Sequence, residues 1–291
     1  MLVSGSDCSI VIKTTHYEKD IPYSEETIRE AVSFLQEEAS IEGDGVCRGI
    51  RKSTGVVGCV VTPLTLGTAP LLLYLAMGSA GKPAFVSETR DLYQYQLKLV
   101  PIEDTERFDL IQERGDRANK VGLLYEVCAV KGFELRFVRG EAVKLKLDIC
   151  GEYPPRVYPY IDPFIREWGE RFSGDYTSFW INGKNYQSIY GVTLTCKKEG
   201  GAKTELWIKR VLEKGEELPP NIEELTISAQ LLKDSYELRH FGTFRITIKH
   251  LVLIADEIDV NTADAVVGPL RYYVAGTVNT EVFTYGAEII P

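Results

Sequence analysis

Residues that often carry out enzyme chemistry are few in this chain and lie far apart. Its three histidines, His16, His240 and His250, each lie more than four residues from any cysteine and from one another. A histidine metal site or catalytic triad would therefore have to be assembled from distant segments. The alternating run TIKHLVLI favours a place for His250 on the surface of a strand over a role as a ligand.

The common catalytic motifs are also missing from the sequence. It contains no GxxxxGK[ST], GxGxxG, GxSxG or HExxH, which removes the usual sequence support for a phosphate-binding loop, a nucleophile elbow or a metalloprotease. Glu37 with Glu38, and Glu216 with Glu217, are adjacent carboxyl groups, but a catalytic carboxyl group needs desolvation to raise its pKa. Both pairs lie in polar segments, so we predict solvated carboxylates, no catalytic residue and no enzyme activity.

The cysteines are distributed without any CxxC pair and without nearby histidine pairs. They are Cys8, Cys47, Cys59, Cys128, Cys150 and Cys196. We predict reduced, mostly buried thiols, not disulfides or a zinc site, because free cysteine behaves as a small hydrophobic residue. No metal and no cofactor is expected.

Composition predicts a folded, acidic protein that stays outside membranes. The 291 residues include 33 lysines and arginines against 42 aspartates and glutamates, a net charge of −9, which disfavours a lasting grip on nucleic acid. The opening MLVSGSDCSIVIK does not have the pattern of a secretory signal. The longest apolar run, PLLLYLAM at 70–77, is far shorter than the ~20 residues that span a bilayer, so we expect no membrane insertion by the monomer.

Three helices are predicted from spacing and capping residues. The first begins after Ser24 and has an apolar stripe at Ile28, Ala31, Val32, Leu35 and Ala39. The second runs from about Thr68 to Met77, since Pro70 fits a first turn and Gly78 can end the helix. The third begins at Asp162 with Pro163 and extends to Phe172.

Most of the remaining chain shows the period-two alternation of strands with one buried face. The clearest runs are 133–137, 143–149, 225–231 and 244–248. Arg139 with Gly140, and Asn182 with Gly183, are predicted turns between paired strands. Because helices are too few to connect parallel strands, we predict a mainly β fold, an antiparallel sandwich or barrel with short flanking helices.

A proline-rich segment, GEYPPRVYPYIDP at 151–163, divides the chain nearly in half. Its four prolines remove backbone donors and favour an extended connector. We therefore predict two tandem barrels, over 1–151 and 152–291.

A loop from about Ile41 to Thr54 is the candidate contact between subunits. An acidic segment at 18–44 leads into a basic one, and opposite charges in neighbouring segments would suit pairing between copies of the chain, although most surface charges make no important contact. The candidate contact residues are Glu42, Asp44, Arg48, Arg51 and Lys52.

The order of these features resembles that of bacteriophage tail tube proteins. The acidic segment EEASIEGDGVCRGIRKSTG leads into the glycine-centred strand VVGCVVTPL and the short helix LGTAPLLLYLAMG. The strands of KVGLLYEVCAVKGFELRFVRGEAVKLKLDICG follow, and FWINGKNYQSIYGVTLTCKKEGG and VVGPLRYYVAGTVNTEVFTYG resemble later strand pairs of the tube fold. The resemblance covers most of residues 40–290 and rests on turn and apolar patterns.

The resemblance implies a virion tail protein, assembled in the bacterial cytoplasm, that forms stacked rings around a channel. Two tube folds in one chain would make a trimer with pseudo-sixfold symmetry, and the alternative is a hexamer. The implied partners are further copies, other tail proteins such as tape measure, sheath or terminator, and genomic DNA that passes through without specific binding.

Three other functions remain open from the sequence. A tail terminator or a secretion-type tube would share the fold and the polymerisation. A carbohydrate-binding β-sandwich is suggested by 16 tyrosines and 3 tryptophans, although aromatic residues are also ordinary in sheets. The last is a hydrolase with an unrecognised site.

Overall fold

The computed structural model describes residues 9–15, 18–36, 49–87, 92–114, 121–159, 168–211, 217–231, 243–261 and 266–285. Within them the chain forms one α-helix and 20 strands. The helix α1 is Ala69–Met77. The first ten strands are β1 Ser9–Lys13, β2 Glu18–Ile21, β3 Glu25–Glu26, β4 Arg29–Gln36, β5 Gly49–Pro63, β6 Gly78–Ala80, β7 Ala84–Ser87, β8 Leu92–Leu99, β9 Phe108–Arg114 and β10 Val121–Val138. The other ten are β11 Lys144–Gly151, β12 Arg156–Tyr158, β13 Thr177–Ile181, β14 Lys184–Asn185, β15 Ile189–Lys197, β16 Lys203–Val211, β17 Asn221–Gln230, β18 Thr243–Asn261, β19 Val266–Val274 and β20 Val278–Tyr285.

Alternating side chains explain why these segments form strands around one core. In β11, Leu145, Leu147 and Ile149 are fully buried, whereas Lys146 and Asp148 between them reach solvent. The same alternation holds over 133–137 of β10, 225–229 of β17 and 244–248 of β18, as the sequence predicts. The mainly β, antiparallel fold is confirmed.

The strands form two layers of a barrel-like sandwich. Layer one has the order β4–β5–β11–β10–β15–β16–β19, and layer two has the order β14–β13–β17–β18–β20–β8–β7. The long strand β18 joins them, since its first half pairs with β17 and β20 and its second half with β19. Phe137 of layer one and Phe244 of layer two face each other with ring centroids 6.1 Å apart, which places the core between the layers.

The second predicted helix is confirmed as α1. Pro70 lies in its first turn, and Gly78 ends it with a φ of 96°, its N–H donating to the carbonyl of Tyr74. The helix contacts β6, β8, β10 and β20. Nearly all its side chains are buried, so α1 forms part of the core.

The first predicted helix is wrong. Residues 25–26 and 29–36 are strands β3 and β4, and both pair with β5. The helical spacing of apolar residues was outweighed because β5, with its β-branched run VVGCVV, offers an edge whose backbone groups need partners. The third predicted helix falls mainly on residues outside the described part. At its end, 168–172 is not helical: Gly169 has a φ of 73°, and Arg171 forms an isolated β-bridge with Thr65.

Strand pairs cross the predicted boundary between the two barrels. Gly132–Val138 of β10 pairs with residues 191–197 of β15, and β8 pairs with β20. The predicted connector contributes a short strand, β12, which pairs with β10. The division at residues 151 and 152 stays a prediction, and the two barrels that it defines would share a sheet and a core.

Candidate functional site

The predicted contact loop is partly a strand. Arg51 and Lys52 lie in β5, where they pair with Phe34 and Ser33 of β4. Glu42, Asp44 and Arg48 lie outside the described residues, within the connection from β4 to β5. Sequence reasoning placed 49–54 in a loop because it had assigned the partner strand β4 to a helix.

The paired ends of β4 and β5 form a ribbon that extends beyond β11, the next strand of layer one. The pairing of β5 with β11 begins at Val56, opposite Gly151, whereas 49–55 pairs only with β4 in the described part of the chain. At about 3.3 Å per residue, these seven residues extend roughly 20 Å beyond the point where β11 stops pairing with β5. We call the paired segments 32–36 and 49–53 the ribbon.

Two glycines make the base of the ribbon possible. Gly55 has a φ of 120°, and a Cβ atom there would lie 2.1 Å from the carbonyl oxygen of Gly151. A Cβ atom at Gly58 would lie 2.5 Å from the Cα atom of Ile28. The backbone of Thr27 and Cys59 is joined by a hydrogen bond of 3.0 Å at the same place. Chain segments therefore cross here at distances that only glycine permits.

The solvent face of layer one is a registered array of polar side chains. Cross-strand pairing gives two rows, which run Lys146, Glu134, Thr195, Glu205, Tyr273 and Lys144, Arg136, Thr193, Trp207, Arg271. Side chains opposite one another on adjacent strands interact directly. Arg271 binds Glu205 at 2.7 Å and stacks over Trp207 at 4.8 Å from the ring centroid. We call this surface the polar face.

Basic residues outnumber acidic ones on the polar face. The basic residues are Arg136, Lys144, Lys146, Lys197, Lys203, Lys209 and Arg271, and the acidic ones are Glu134, Asp148 and Glu205. Ion pairs engage several of them, including Lys146 with Asp148 at 3.5 Å and Arg136 with Glu141 at 3.1 Å. The face thus carries a modest positive charge on an acidic chain.

Lys198 is a buried ionisable residue that sequence reasoning missed. Its side chain has no exposed surface, and its Nζ donates to Thr105 Oγ1 at 3.2 Å. Burial lowers its pKa from 10.5 to about 8. The ammonium lies beside Gly78, at the C-terminal end of α1, where the helix dipole favours a positive charge. The signal was in the sequence, since alternation in LTCKK places Lys198 on the buried side with Leu194 and Cys196.

The described cysteines are free thiols, as predicted. Cys128 and Cys196 are buried, and Cys59 and Cys150 are half-buried. Burial raises the pKa of Cys128 to about 12, so this thiol stays protonated and unreactive at neutral pH.

His250 lies in β18 and is exposed, as predicted, but not because of alternation. Alternation from Phe244, Ile246 and Ile248 would bury it, whereas its φ of 56° interrupts the alternation, and Lys249 and His250 both face solvent. Among the described residues, no group of three or more histidines, cysteines or carboxylates is placed to hold a metal ion. Within the same residues, no helix has the length and apolar character needed to cross a membrane. No protein-family model and no curated protein matches the chain.

Proposed function

We propose that this chain is a structural subunit of a bacteriophage tail tube, whose copies associate into stacked rings around a channel for DNA. The ribbon is the observation that carries the proposal. A two-stranded hairpin alone is at best marginally stable in water, and its free edges are available for pairing. A neighbouring copy of the chain would pair with these edges.

The predicted contact residues fit this role. Arg51 and Lys52 belong to the ribbon, and the connection between its strands contains Glu42, Asp44 and Arg48. A contact between the ribbon of one copy and a different surface of the next is heterologous. Such a contact gives a ring when the rotation closes. Three chains with pseudo-sixfold symmetry, or six chains, would complete it.

The continuous sheet also supports a wall-forming role. Layer one extends over β5, β11, β10, β15, β16 and β19 with one apolar and one polar face. A subunit of this kind can present one broad surface to a channel while its core stays sealed. The same features would suit a tail terminator or a secretion-type tube. Both of these would share the fold and the association of copies, but neither would be a conduit for DNA.

Electron microscopy of the purified chain and of one shortened variant tests the proposal. The variant replaces 33–52 by Asn-Gly, which joins Val32 to Ser53, a registered pair, through a two-residue hairpin turn. We expect rings or tubes from the parent at high concentration. The variant should fold with the circular dichroism spectrum of a β-sheet protein and a cooperative thermal transition but remain unassembled.

The control is Val157→Ser, at an exposed position on β12, which should assemble like the parent. A parent that stays monomeric by light scattering at every concentration and salt tested would contradict ring assembly. Normal tubes from the shortened variant would show that the ribbon is not the contact.

A further inference from the structure

An open cleft with a volume of about 380 Å³ lies at the edge of layer two. Its walls come from the turn between β10 and β11, the start of β13, and the chain that follows β14. Small-molecule sites usually measure ~300–1,000 Å³, so the cleft has room for a ligand of one or two sugar rings.

The cleft is held in shape by hydrogen bonds between its walls. Asp175 Oδ1 accepts from the backbone N–H of Gly140 at 2.8 Å, and the Arg139 guanidinium donates to the carbonyl of Gln187 at 3.1 Å. The backbone N–H of Tyr186 donates to the carbonyl of Phe179 at 2.9 Å. A wall fixed in this way loses little conformational freedom when a ligand enters.

The lining groups combine amides with an aromatic ring. The side-chain amides of Asn185 and Gln230 and the hydroxyl of Tyr176 make no hydrogen bond within the described residues. An amide offers both donors and acceptors, as a ligand with several hydroxyl groups requires. Tyr176 is 44% exposed, and its ring provides an apolar face beside these polar groups.

The charges of the cleft favour a neutral ligand. Arg139 and Asp175 contribute one charge of each sign, and the side chains of both already form hydrogen bonds with the backbone. The Lys184 ammonium lies over the Tyr186 ring, 4.8 Å from the centroid, and occupies one face of it, whereas the Tyr176 ring is exposed to solvent. We propose that this cleft binds a neutral saccharide, with Tyr176 stacking on the sugar ring and Asn185 and Gln230 bonding its hydroxyl groups.

Saturation-transfer NMR and calorimetry with the full chain test the proposal, since both work for monomers and assemblies. The probes are the methyl glycosides of glucose, galactose, mannose and N-acetylglucosamine, together with maltose, cellobiose and lactose. We expect saturable binding of at least one probe with a Kd of about 1 mM, in the range of weak, solvent-exposed sites. Tyr176→Ala and Asn185→Ala should each raise that Kd at least about tenfold.

The matched control is Tyr153→Ala, which removes another exposed tyrosine, 47% accessible, outside the cleft; its Kd should equal that of the parent. Glucuronic acid tests the charge argument, and tighter binding of this acid than of the neutral probes would overturn the assignment. Absence of saturable binding by every probe at 50 mM (about fifty times the expected Kd), or binding that survives both cleft variants, would overturn the site itself.

Discussion

Lys198 holds an ammonium group inside the core at neutral pH, because its pKa, although lowered by burial to about 8, still lies above 7. In the unfolded chain the same group keeps a pKa near 10.5. Between these pH values the unfolded state binds the extra proton, so this residue makes the free energy of unfolding rise as the pH rises from about 8 to about 10.5. Below pH 8 its burial costs roughly 3 kcal/mol, at about 1.4 kcal/mol per pKa unit.

We therefore expect Lys198→Met to stabilise the fold at pH 7. The gain in the free energy of unfolding should approach ~3 kcal/mol at pH 7 and shrink towards zero by about pH 10. Urea unfolding at both pH values measures it, with Lys203→Met, at an exposed position, as the control that should show no such pH dependence. A Lys198→Met chain that is less stable than the parent at pH 7 would mean that the hydrogen bond to Thr105 and the end of α1 outweigh the desolvation.

Residue positions on strands were predictable from the sequence, whereas the partners of a buried charge were not. Alternation correctly placed Leu145 and Leu147 in the core. The contact of Lys198 with Thr105 joins residues 93 positions apart in the sequence, and a local sequence pattern cannot predict a contact over such a separation. The cleft was missed for the same reason, because Arg139 was recognised only as a turn residue and the other lining residues, such as Asp175 and Gln230, lie far from it in the chain.

At the scale of elements, α1 was predicted correctly because its signals are local: Pro70 at its start and Gly78 at its end. The ribbon was mispredicted because helical spacing in 25–39 depends on the same apolar residues that a strand can use. What decides between them is β5, which lies later in the chain and presents an edge to pair. Tertiary pairing of this kind overrides helix propensities of under 1 kcal/mol per residue.

Gly58 is expected to control how closely the β3–β4 segment lies on β5. Gly58→Ala would put a methyl group against backbone atoms of Thr27 and Ile28. Backbone atoms cannot move away as the end of a flexible side chain can. We expect a loss of about 1–3 kcal/mol of stability, as for other overpacked sites, measured by urea unfolding.

The matched control for Gly58 is Gly81→Ala, since a Cβ atom at Gly81 would meet its nearest neighbour at 3.5 Å, an ordinary contact. That variant should be nearly as stable as the parent. Equal stability of the two variants would show that the segment carrying Ile28 can shift away from residue 58 without a loss of stability. The close packing of β5 on that segment would then not be needed to position the ribbon.

At the scale of the whole molecule, charge decides whether a tube could hold DNA or let it pass. Duplex DNA carries one negative charge per roughly 1.7 Å of its axis, so a ring of free lysines would bind it strongly. The chain has a net charge of −9, and several of the basic groups on the polar face are engaged by carboxylates, as Arg271 is by Glu205. The outer face of layer two pairs Arg245 with Glu281 among neutral side chains such as Thr226, Thr247 and Asn279.

We therefore predict weak binding of duplex DNA without sequence preference, with a Kd above about 1 µM at physiological salt, which is the range of non-specific contacts. Fluorescence anisotropy with two duplexes of unrelated sequence measures it. The double variant Glu134→Lys, Glu205→Lys shows that the assay can detect a gain, because it frees Arg271 and adds positive charge to the polar face; it should bind more tightly and with a steeper dependence on salt. Submicromolar, salt-sensitive binding by the parent would contradict a passive conduit, since DNA held that firmly by every ring would not move through the tube.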